Sequence, residues 1–309
     1  MPVPPMTTQE SRPTASPASE TSAHGAAGDF RITALRRLLP WACRLAPNLT
    51  ARACLSLFLT PVRTKRPAWE KAFLAEAEMA AMAFGTHQVA TYRWGRGDKK
   101  ILLCHGWSGR GSQLGAFVQP LVAAGYSVHA FDAIAHGGSS GKQTDMIEYS
   151  ALVAHMAKEL GPFDAIIGHS FGAANVVIAK HRHRFETGKL VLLSCFSDGE
   201  WVLNRFAEFL NISPRVLRTL KDLHERRRDG SFSWSEMNIA KMAGEETLPV
   251  LFIHDRSDKE VPHAQMEVFS GSGKSNFRFV STEGVGHRRI VRDEKVVREV
   301  CQFVASGRS

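Results

Sequence analysis

Several features that would assign a chain to a class of proteins at once are missing from this sequence. Its 309 residues contain no apolar run near the roughly 18 consecutive residues that a membrane-spanning helix needs. Residues 1–30 also lack the basic stretch followed by about 7 to 15 apolar residues that marks a secretory signal. These absences predict a soluble protein that is not exported.

Paired cysteines and cofactor motifs are missing as well. The five cysteines are an odd number, and no two of them have C-x-x-C or other metal-ligand spacing. Cys104 and Cys195 end apolar runs, where a thiol packs as a small hydrophobic group, so we expect a reducing compartment, the cytoplasm. There is no phosphate-binding G-x-x-x-x-G-K and no dinucleotide fingerprint. We therefore expect a reaction that needs no metal and no cofactor.

Positive charge is in excess. The formal net charge is +9, from 39 Lys and Arg against 30 Asp and Glu. The basic clusters lack the interleaved aromatic residues of a single-strand-binding surface, which predicts solvated faces and no nucleic-acid partner. Residues 31–66 are both basic and rich in leucine, a composition compatible with weak contact to a membrane surface. Prolines interrupt that pattern and favour packing against the main domain.

The chain divides into three regions. Residues 1–29 have too few large apolar side chains to offset the entropy of ordering, which predicts a disordered tail. Residues 30–84 are predicted to form a helical segment, including a helical run over Trp69 to Met82. Residues 85–309 alternate short apolar strands with helices, which predicts an α/β domain with a mainly parallel sheet and helices on both faces. Only helical pieces are expected at about 196–246.

A serine between two glycines follows one of the predicted strands. Gly168-His169-Ser170-Phe171-Gly172 has the G-x-S-x-G pattern and joins the strand around Ile166 to an apolar helix that begins near Ala173. In this context the pattern is typical of a nucleophile elbow, a turn so tight that small residues must flank the serine. The alternative is a glycine-rich turn whose serine only caps the helix.

Later loops supply a base and candidate acids. A serine hydroxyl is a poor nucleophile until a base takes its proton, and a catalytic histidine needs an orienting acid. His287 follows the last predicted strand in a glycine-flexed loop. Asp255 and Asp258 follow the strand before it, and Asp198 follows an earlier strand. Because the carboxyl ends of parallel strands meet at one edge of a sheet, we expect these loops to converge.

From its first buried strand to its end, the sequence resembles the α/β-hydrolase superfamily. The matching pieces are His105-Gly106, Gly168 to Gly172, Asp258-x-x-Val261-Pro262 and Gly286-His287, with serine, acid and histidine in the order of that family. The resemblance implies that Ser170, Asp258 and His287 are catalytic, since relatives often carry the acid just ahead of a Val-Pro pair. Asp255 is the first alternative for the acid, and Asp198 is the second.

The resemblance also implies an oxyanion hole made of backbone N–H groups. One belongs to Phe171, the residue after the nucleophile, and the other to Trp107 in the loop after the first buried strand. His105 and His169 stand beside these elements and are expected to be packed, hydrogen-bonded histidines. Arg110 is expected to be a surface arginine, with contact to an anionic substrate as the alternative.

The sequence therefore predicts a serine hydrolase that cleaves a carboxylic ester of a small-molecule acyl substrate through an acyl-enzyme, with the acyl chain length left open. Cleavage of thioesters, amides or carbon-carbon bonds uses the same residues and stays open. A non-catalytic, hydrolase-like binding or membrane-surface protein is the alternative from another class. The region at about 196–246 stands where the family inserts a helical cap, which implies that it covers the site and selects the substrate.

Overall fold

An eight-stranded sheet forms the centre of the computed structural model, which describes residues 24–307, with side chains from residue 32 onward. The strands are β1 (Glu78–Phe84), β2 (His87–Trp94), β3 (Lys99–Cys104), β4 (Tyr126–Phe131), β5 (Ala165–His169), β6 (Leu190–Leu193), β7 (Val250–Asp255) and β8 (Phe277–Thr282). Their spatial order is β1-β2-β4-β3-β5-β6-β7-β8. Strands β3 to β8 pair in parallel, whereas β2 is antiparallel to both of its neighbours.

Helices cover both faces of this sheet, as predicted. They are α1 (His24–Leu45), α2 (Pro47–Phe58), α3 (Ala68–Ala75), α4 (Val118–Ala123), α5 (Met146–Leu160), α6 (Phe171–His183), α7 (Gly199–Leu210), α8 (Pro214–Arg227), α9 (Ile239–Gly244), α10 (Ala264–Ser270) and α11 (Glu294–Ala305). Consecutive strand residues such as Ile166 and Ile167 belong to separate cores on opposite faces, because side chains alternate along a strand. Of the helices described, none is long and apolar enough to cross a membrane.

The first strand corrects the predicted helical segment 30–84. The helical run expected over Trp69 to Met82 ends at Ala75, and Glu78–Phe84 pairs with β2 across a two-residue turn at residues 85–86. Gly85 lies in that turn with a φ of +55°, which glycine adopts at little cost. Glutamate, methionine and alanine favour helices by propensity, but strand pairing overrides it. The sheet therefore begins seven residues before the predicted boundary at residue 85.

Helix α1 runs through Pro40, although the prolines were expected to divide this region into short helices. A proline has no N–H, so the carbonyl of Arg36 one turn earlier loses its helical partner. The side-chain amide of Asn211, at the end of α7, donates a hydrogen bond to that carbonyl at 3.4 Å. The tail predicted for residues 1–29 lies mostly outside the described residues, and α1 already includes its last six, from His24.

The N-terminal segment, residues 24–76, packs against the rest of the chain. Its strongest polar link joins Glu70 in α3 to Arg110, whose Nε and Nη2 donate to the two carboxylate oxygens at 2.5 and 2.7 Å. Ser112 donates to the same carboxylate at 2.6 Å. Arg110 is only 4% exposed, so both expectations for it, a surface position and contact with an anionic substrate, are wrong. It fastens the segment to the loop after β3.

Between β6 and β7 the chain leaves the sheet and forms α7, α8 and α9. We call residues 196–246 the cap. Helix α2 of the N-terminal segment lies against α8 of the cap. Phe58 at the end of α2 places its ring centroid 5.1 Å from that of Phe206 and 6.1 Å from that of Trp234. The N-terminal segment and the cap therefore form one continuous cover.

Candidate active site

Ser170 occupies a strained turn between β5 and α6. Its φ is +52° and its ψ is −116°, a conformation that costs a non-glycine residue about 1 to 3 kcal/mol. A Cβ on Gly168 would lie 2.6 Å from Cα of Ala173, and a Cβ on Gly172 would lie 2.4 Å from the carbonyl oxygen of Cys104. Both positions therefore require glycine, and the turn presents Ser170 at the carboxyl end of β5.

A chain of hydrogen bonds connects this serine to a histidine and an aspartate. Oγ of Ser170 lies 2.9 Å from Nε2 of His287, and Nδ1 of His287 lies 2.7 Å from Oδ2 of Asp258. Because a carboxylate can only accept, Nδ1 carries the proton and Nε2 is left to accept from the serine hydroxyl. This arrangement matches the one in which histidine acts as a general base toward serine.

The Asp258 carboxylate is firmly anchored. Its Oδ1 accepts hydrogen bonds from the backbone N–H groups of Glu260 and Val261, both at 2.9 Å. Burial by itself would raise the pKa of Asp258, but hydrogen bonds from His254 and His287 outweigh it and hold this pKa well below its usual range. The group is therefore ionised at neutral pH and faces the histidine as an anion.

Asp255 has a different role. Its Oδ2 accepts from the hydroxyl of Thr282 at 2.7 Å and from the backbone N–H of Val285 at 3.0 Å. These bonds fix the loop that carries His287. Burial opposes ionisation of Asp255, but the hydrogen bonds from Ser257 and Thr282 lower its pKa below the usual range. Asp255 thus orders the histidine loop without touching the ring.

The structure consequently separates the three acids that the sequence left open. Asp258 meets the ring of His287, whereas Asp198 accepts a hydrogen bond from a backbone N–H in the first turn of α7 and caps that helix. Of the predicted site residues, Ser170, His287 and Asp258 are brought together. Asp255 and Asp198 are not part of the hydrogen-bond chain.

The two backbone groups expected to form an oxyanion hole lie beside the serine. A Cβ on Gly106 would be only 3.3 Å from Cβ of Ser170, so the loop after β3 lies directly against the nucleophile elbow. The rings of Trp107 and Phe171 meet edge to face with centroids 5.0 Å apart. Within the described part of the chain, neither backbone N–H of these two residues has a hydrogen-bond acceptor. Both are free to donate to a ligand.

Two histidines, the buried His105 and the half-buried His169, support the site as packed, hydrogen-bonded residues, as expected from the sequence. Nε2 of His169 lies 2.9 Å from the carbonyl oxygen of His287, and this hydrogen bond fixes the backbone of His287. Nδ1 of His105 lies 2.7 Å from the carbonyl oxygen of Gly106. Nε2 of the same ring accepts a hydrogen bond from the backbone N–H of Ala133 at 2.9 Å. Burial lowers the pKa of His169 to about 3 and that of His105 to about 4. Both rings are therefore neutral at pH 7.

A cavity of about 290 Å³ opens onto Ser170 and His287. Most of its wall comes from large apolar side chains of the cover, which are Leu57, Phe58 and Leu59 of the N-terminal segment and Phe196, Trp201, Val202, Phe206, Phe232 and Trp234 of the cap. The cap contribution was expected. The N-terminal contribution was missed, because nothing in the local sequence of α2 indicates which surface it covers.

Comparison with known proteins agrees with this geometry. Residues 101–299 match the model of the alpha/beta hydrolase family. Because this match spans more than half of the chain, the protein belongs to the alpha/beta hydrolase family, which confirms the resemblance and the fold class predicted from the sequence. The comparison with curated protein sequences found no match.

Solved structures share the fold at low sequence identity. An esterase from Pyrococcus furiosus is 20% identical with a TM-score of 0.60, over 80% of this chain and 98% of that one. A membrane phospholipase A described as a bacterial virulence factor is 15% identical with a TM-score of 0.59, over 90% and 98%. The thioesterase domain from the curacin biosynthetic pathway is 17% identical with a TM-score of 0.55, over 74% and 99%.

Proposed function

We propose that the protein is a serine hydrolase that cleaves carboxylic esters with Ser170, His287 and Asp258. The observation that carries this proposal is the unbroken hydrogen-bond chain from Ser170 Oγ through His287 to the ionised Asp258, at the wall of a cavity. Without the histidine and the carboxylate, the serine would not be activated at neutral pH.

The proposed reaction has two halves. Ser170 Oγ attacks the carbonyl carbon while Nε2 of His287 takes its proton, and the N–H groups of Trp107 and Phe171 donate to the resulting oxyanion. His287 then gives that proton to the leaving alcohol, and an acyl-enzyme is formed. Water attacks the acyl group with His287 again as base, and the acid leaves as Ser170 regains its proton. Asp258 stabilises the imidazolium in both halves.

The apolar wall of the cavity supports a substrate with an apolar acyl group. The names of the similar structures, which include an esterase, a phospholipase A and a thioesterase domain, agree with acyl transfer to water. Thioester, amide or carbon-carbon bond cleavage by the same residues is the alternative. Oxygen and sulfur esters of the same acyl chain would distinguish ester hydrolysis from thioester hydrolysis.

Covalent labelling tests the proposal most directly. The purified full chain should react with a fluorophosphonate probe and hydrolyse p-nitrophenyl esters, and Ser170→Ala and His287→Ala should lose both activities. Ser194→Ala is a matched control, because Ser194 directly follows the neighbouring strand β6, also has a positive φ, and is not in the hydrogen-bond chain. Absence of labelling in folded wild-type protein would contradict the proposal and favour a non-catalytic binding protein.

A second proposal concerns the outer face of the N-terminal segment. Four large apolar side chains stand exposed there, which are Leu38, Trp41, Leu45 and Leu49. Arginines 37, 44 and 52 are exposed among them. We propose that this face contacts anionic membrane surfaces, since apolar side chains among arginines suit a charged lipid interface.

Vesicle sedimentation tests the membrane proposal. The wild-type chain should bind phosphatidylcholine vesicles that contain phosphatidylglycerol better than pure phosphatidylcholine vesicles. The double variant Trp41→Ser and Leu45→Ser should lose that binding. Val268→Ser, which replaces another exposed large apolar side chain, on α10, is the control and should keep it. If the double variant binds as the wild type does, this face is not the contact.

A further inference from the structure

Three buried polar atoms on residues that line the active-site cavity have no hydrogen-bond partner among the described residues. They are Oγ1 of Thr144, Nδ1 of His224 and Nε1 of Trp234. The three residues are only 3%, 2% and 4% exposed, and all of them line the cavity that contains Ser170. We call them the second polar group. A buried polar atom without a partner costs about 1 to 3 kcal/mol, and here three occur around one space.

Asp145 holds the second polar group together. It directly follows Thr144 and caps α5, and its Oδ2 lies 2.9 Å from Nε2 of His224 and 2.7 Å from Nε of Arg228. The ring of His224 in turn lies 5.3 Å from that of Trp234. The loop before α5 and two parts of the cap are thereby fixed around the cavity, so the unpaired atoms are not the result of a loosely packed surface.

The chemistry of these atoms limits what can satisfy them. The Nε1–H of Trp234 can only donate. His224 donates from Nε2 to the carboxylate of Asp145, and in the imidazole tautomer with its proton on Nε2 the other nitrogen, Nδ1, can only accept. The Thr144 hydroxyl can do either. A group that accepts from the indole and from the threonine hydroxyl and donates to the imidazole matches the capacities of all three atoms, and an alcohol hydroxyl is the simplest such group.

We propose that the second polar group binds a hydroxyl carried on the otherwise apolar chain of the substrate. This inference rests on the proposed ester hydrolysis and deepens it, because it names the substrate as the ester of a hydroxylated aliphatic acid. The apolar wall contacts the methylene groups, and the second polar group selects the chain that bears a hydroxyl at the matching position. A chain without that hydroxyl leaves the three atoms unpaired.

Esters with a scanned hydroxyl test this selection. A series of p-nitrophenyl octanoates with the hydroxyl moved along the chain is compared with unsubstituted octanoate. We expect kcat/KM to rise by about 10-fold or more at one position. The methyl ether at that position should lose the gain, because it cannot donate to His224. Equal kcat/KM at every position would overturn the inference and leave the proposed hydrolysis standing.

Conservative variants assign the preference to these residues. Trp234→Phe keeps the ring and removes the N–H, and Thr144→Val keeps the shape and removes the hydroxyl. Each should reduce the preference for the hydroxylated ester about 3- to 10-fold. Trp201→Phe makes the same chemical change elsewhere in the cavity wall and should leave the preference unchanged. A preference that survives in both variants would contradict the assignment.

Calorimetry separates a failure of this inference from a failure of the proposed hydrolysis. The Ser170→Ala protein is titrated with the free hydroxyoctanoic acids and with octanoic acid. Tighter binding of one hydroxy acid, lost in the Ser170→Ala and Trp234→Phe double variant, supports the subsite even if no ester is hydrolysed. Equal affinities for all the acids would mean that water satisfies the second polar group, and would overturn the inference.

Discussion

The cavity contains two groups of polar side chains that differ in how they are satisfied. Around Ser170, the hydroxyl, both ring nitrogens of His287 and both carboxylate oxygens of Asp258 each have a partner within the protein. In the second polar group, Thr144 and Trp234 each carry a buried atom without one. The first group is complete before a substrate arrives, and the second is completed by what binds.

This difference follows from where the groups are built. Ser170, Asp258 and His287 stand on short loops at the carboxyl ends of β5, β7 and β8, and the parallel sheet fixes the distances between those loops. The second polar group joins the loop before α5 to the cap. Preorganised charge suits the bond-breaking step that is common to all esters. Unpaired donors and acceptors in the cover favour one ester over another, because only a substrate with matching polar groups satisfies them.

The largest effect that we predict distinguishes two aspartates in one turn. Asp258→Asn should lower kcat about 10³- to 10⁴-fold, because an amide favours the wrong tautomer of His287 and cannot stabilise the imidazolium. Asp255→Asn should cost only about 10-fold, since it weakens the loop but leaves the Asp258 carboxylate in place. The measurement is steady-state hydrolysis of one p-nitrophenyl ester by both variants.

Folding controls accompany this pair, because both aspartates are buried. Circular dichroism and urea unfolding of each variant should show the folded state at the assay temperature. A loss in Asp255→Asn as large as that in Asp258→Asn would mean that the histidine loop, and not the hydrogen bond to the ring, limits catalysis.

The sequence predicted the group around Ser170 because its signals are local. Gly168 and Gly172 stand where an added Cβ would lie only 2.6 and 2.4 Å from neighbouring backbone atoms, so no larger residue fits at either position. The alternation of strands and helices then brings the later loops to the same edge of the sheet. The local sequence does not distinguish Asp255, the last residue of β7, from Asp258, and only the resemblance to the family favours Asp258.

The cover could not be predicted in the same way. The contact between Phe58 and Trp234 joins residues far apart in the sequence and depends on how two amphipathic helices dock. Arg110 was misplaced for the same reason, because its partner Glu70 lies on a helix of the N-terminal segment. In β1, helix-favouring residues pair as a strand, and only the tight turn at Gly85 could have indicated the hairpin.

A smaller effect should appear in the pH dependence of stability. Burial, aided by the neighbouring His287, lowers the pKa of His169 to about 3. In the unfolded chain this histidine takes up a proton near pH 6.5, so the unfolded state binds it first and stability falls as the pH drops below about 6.5. Between pH 7 and pH 5 this group alone should remove about 2 kcal/mol from the free energy of unfolding.

The variant His169→Gln tests that prediction. Glutamine can still donate to the carbonyl of His287 but does not titrate. Urea unfolding at pH 7 and pH 5 should show a decrease in the free energy of unfolding that is about 2 kcal/mol smaller in the variant than in the wild type. The same decrease in both proteins would mean that His169 is not kept neutral by its burial beneath the active site.

The smallest effect concerns the wall that the N-terminal segment adds to the cavity. Phe58→Ala should widen the space between Phe206 and Trp234 and change the ratio of kcat/KM for long and short acyl esters about 5- to 10-fold in favour of the long ones. Removing a packed ring also costs up to about 3 kcal/mol of stability, which lowers the folded fraction. The ratio of the two kcat/KM values is the useful quantity, because the folded fraction affects both values equally and cancels. Trp69→Ala, an aromatic residue of the same segment outside the cavity wall, should leave the ratio unchanged. An unchanged ratio in Phe58→Ala as well would mean that the cap alone selects the substrate. The N-terminal segment would then support the cap without contacting the acyl chain.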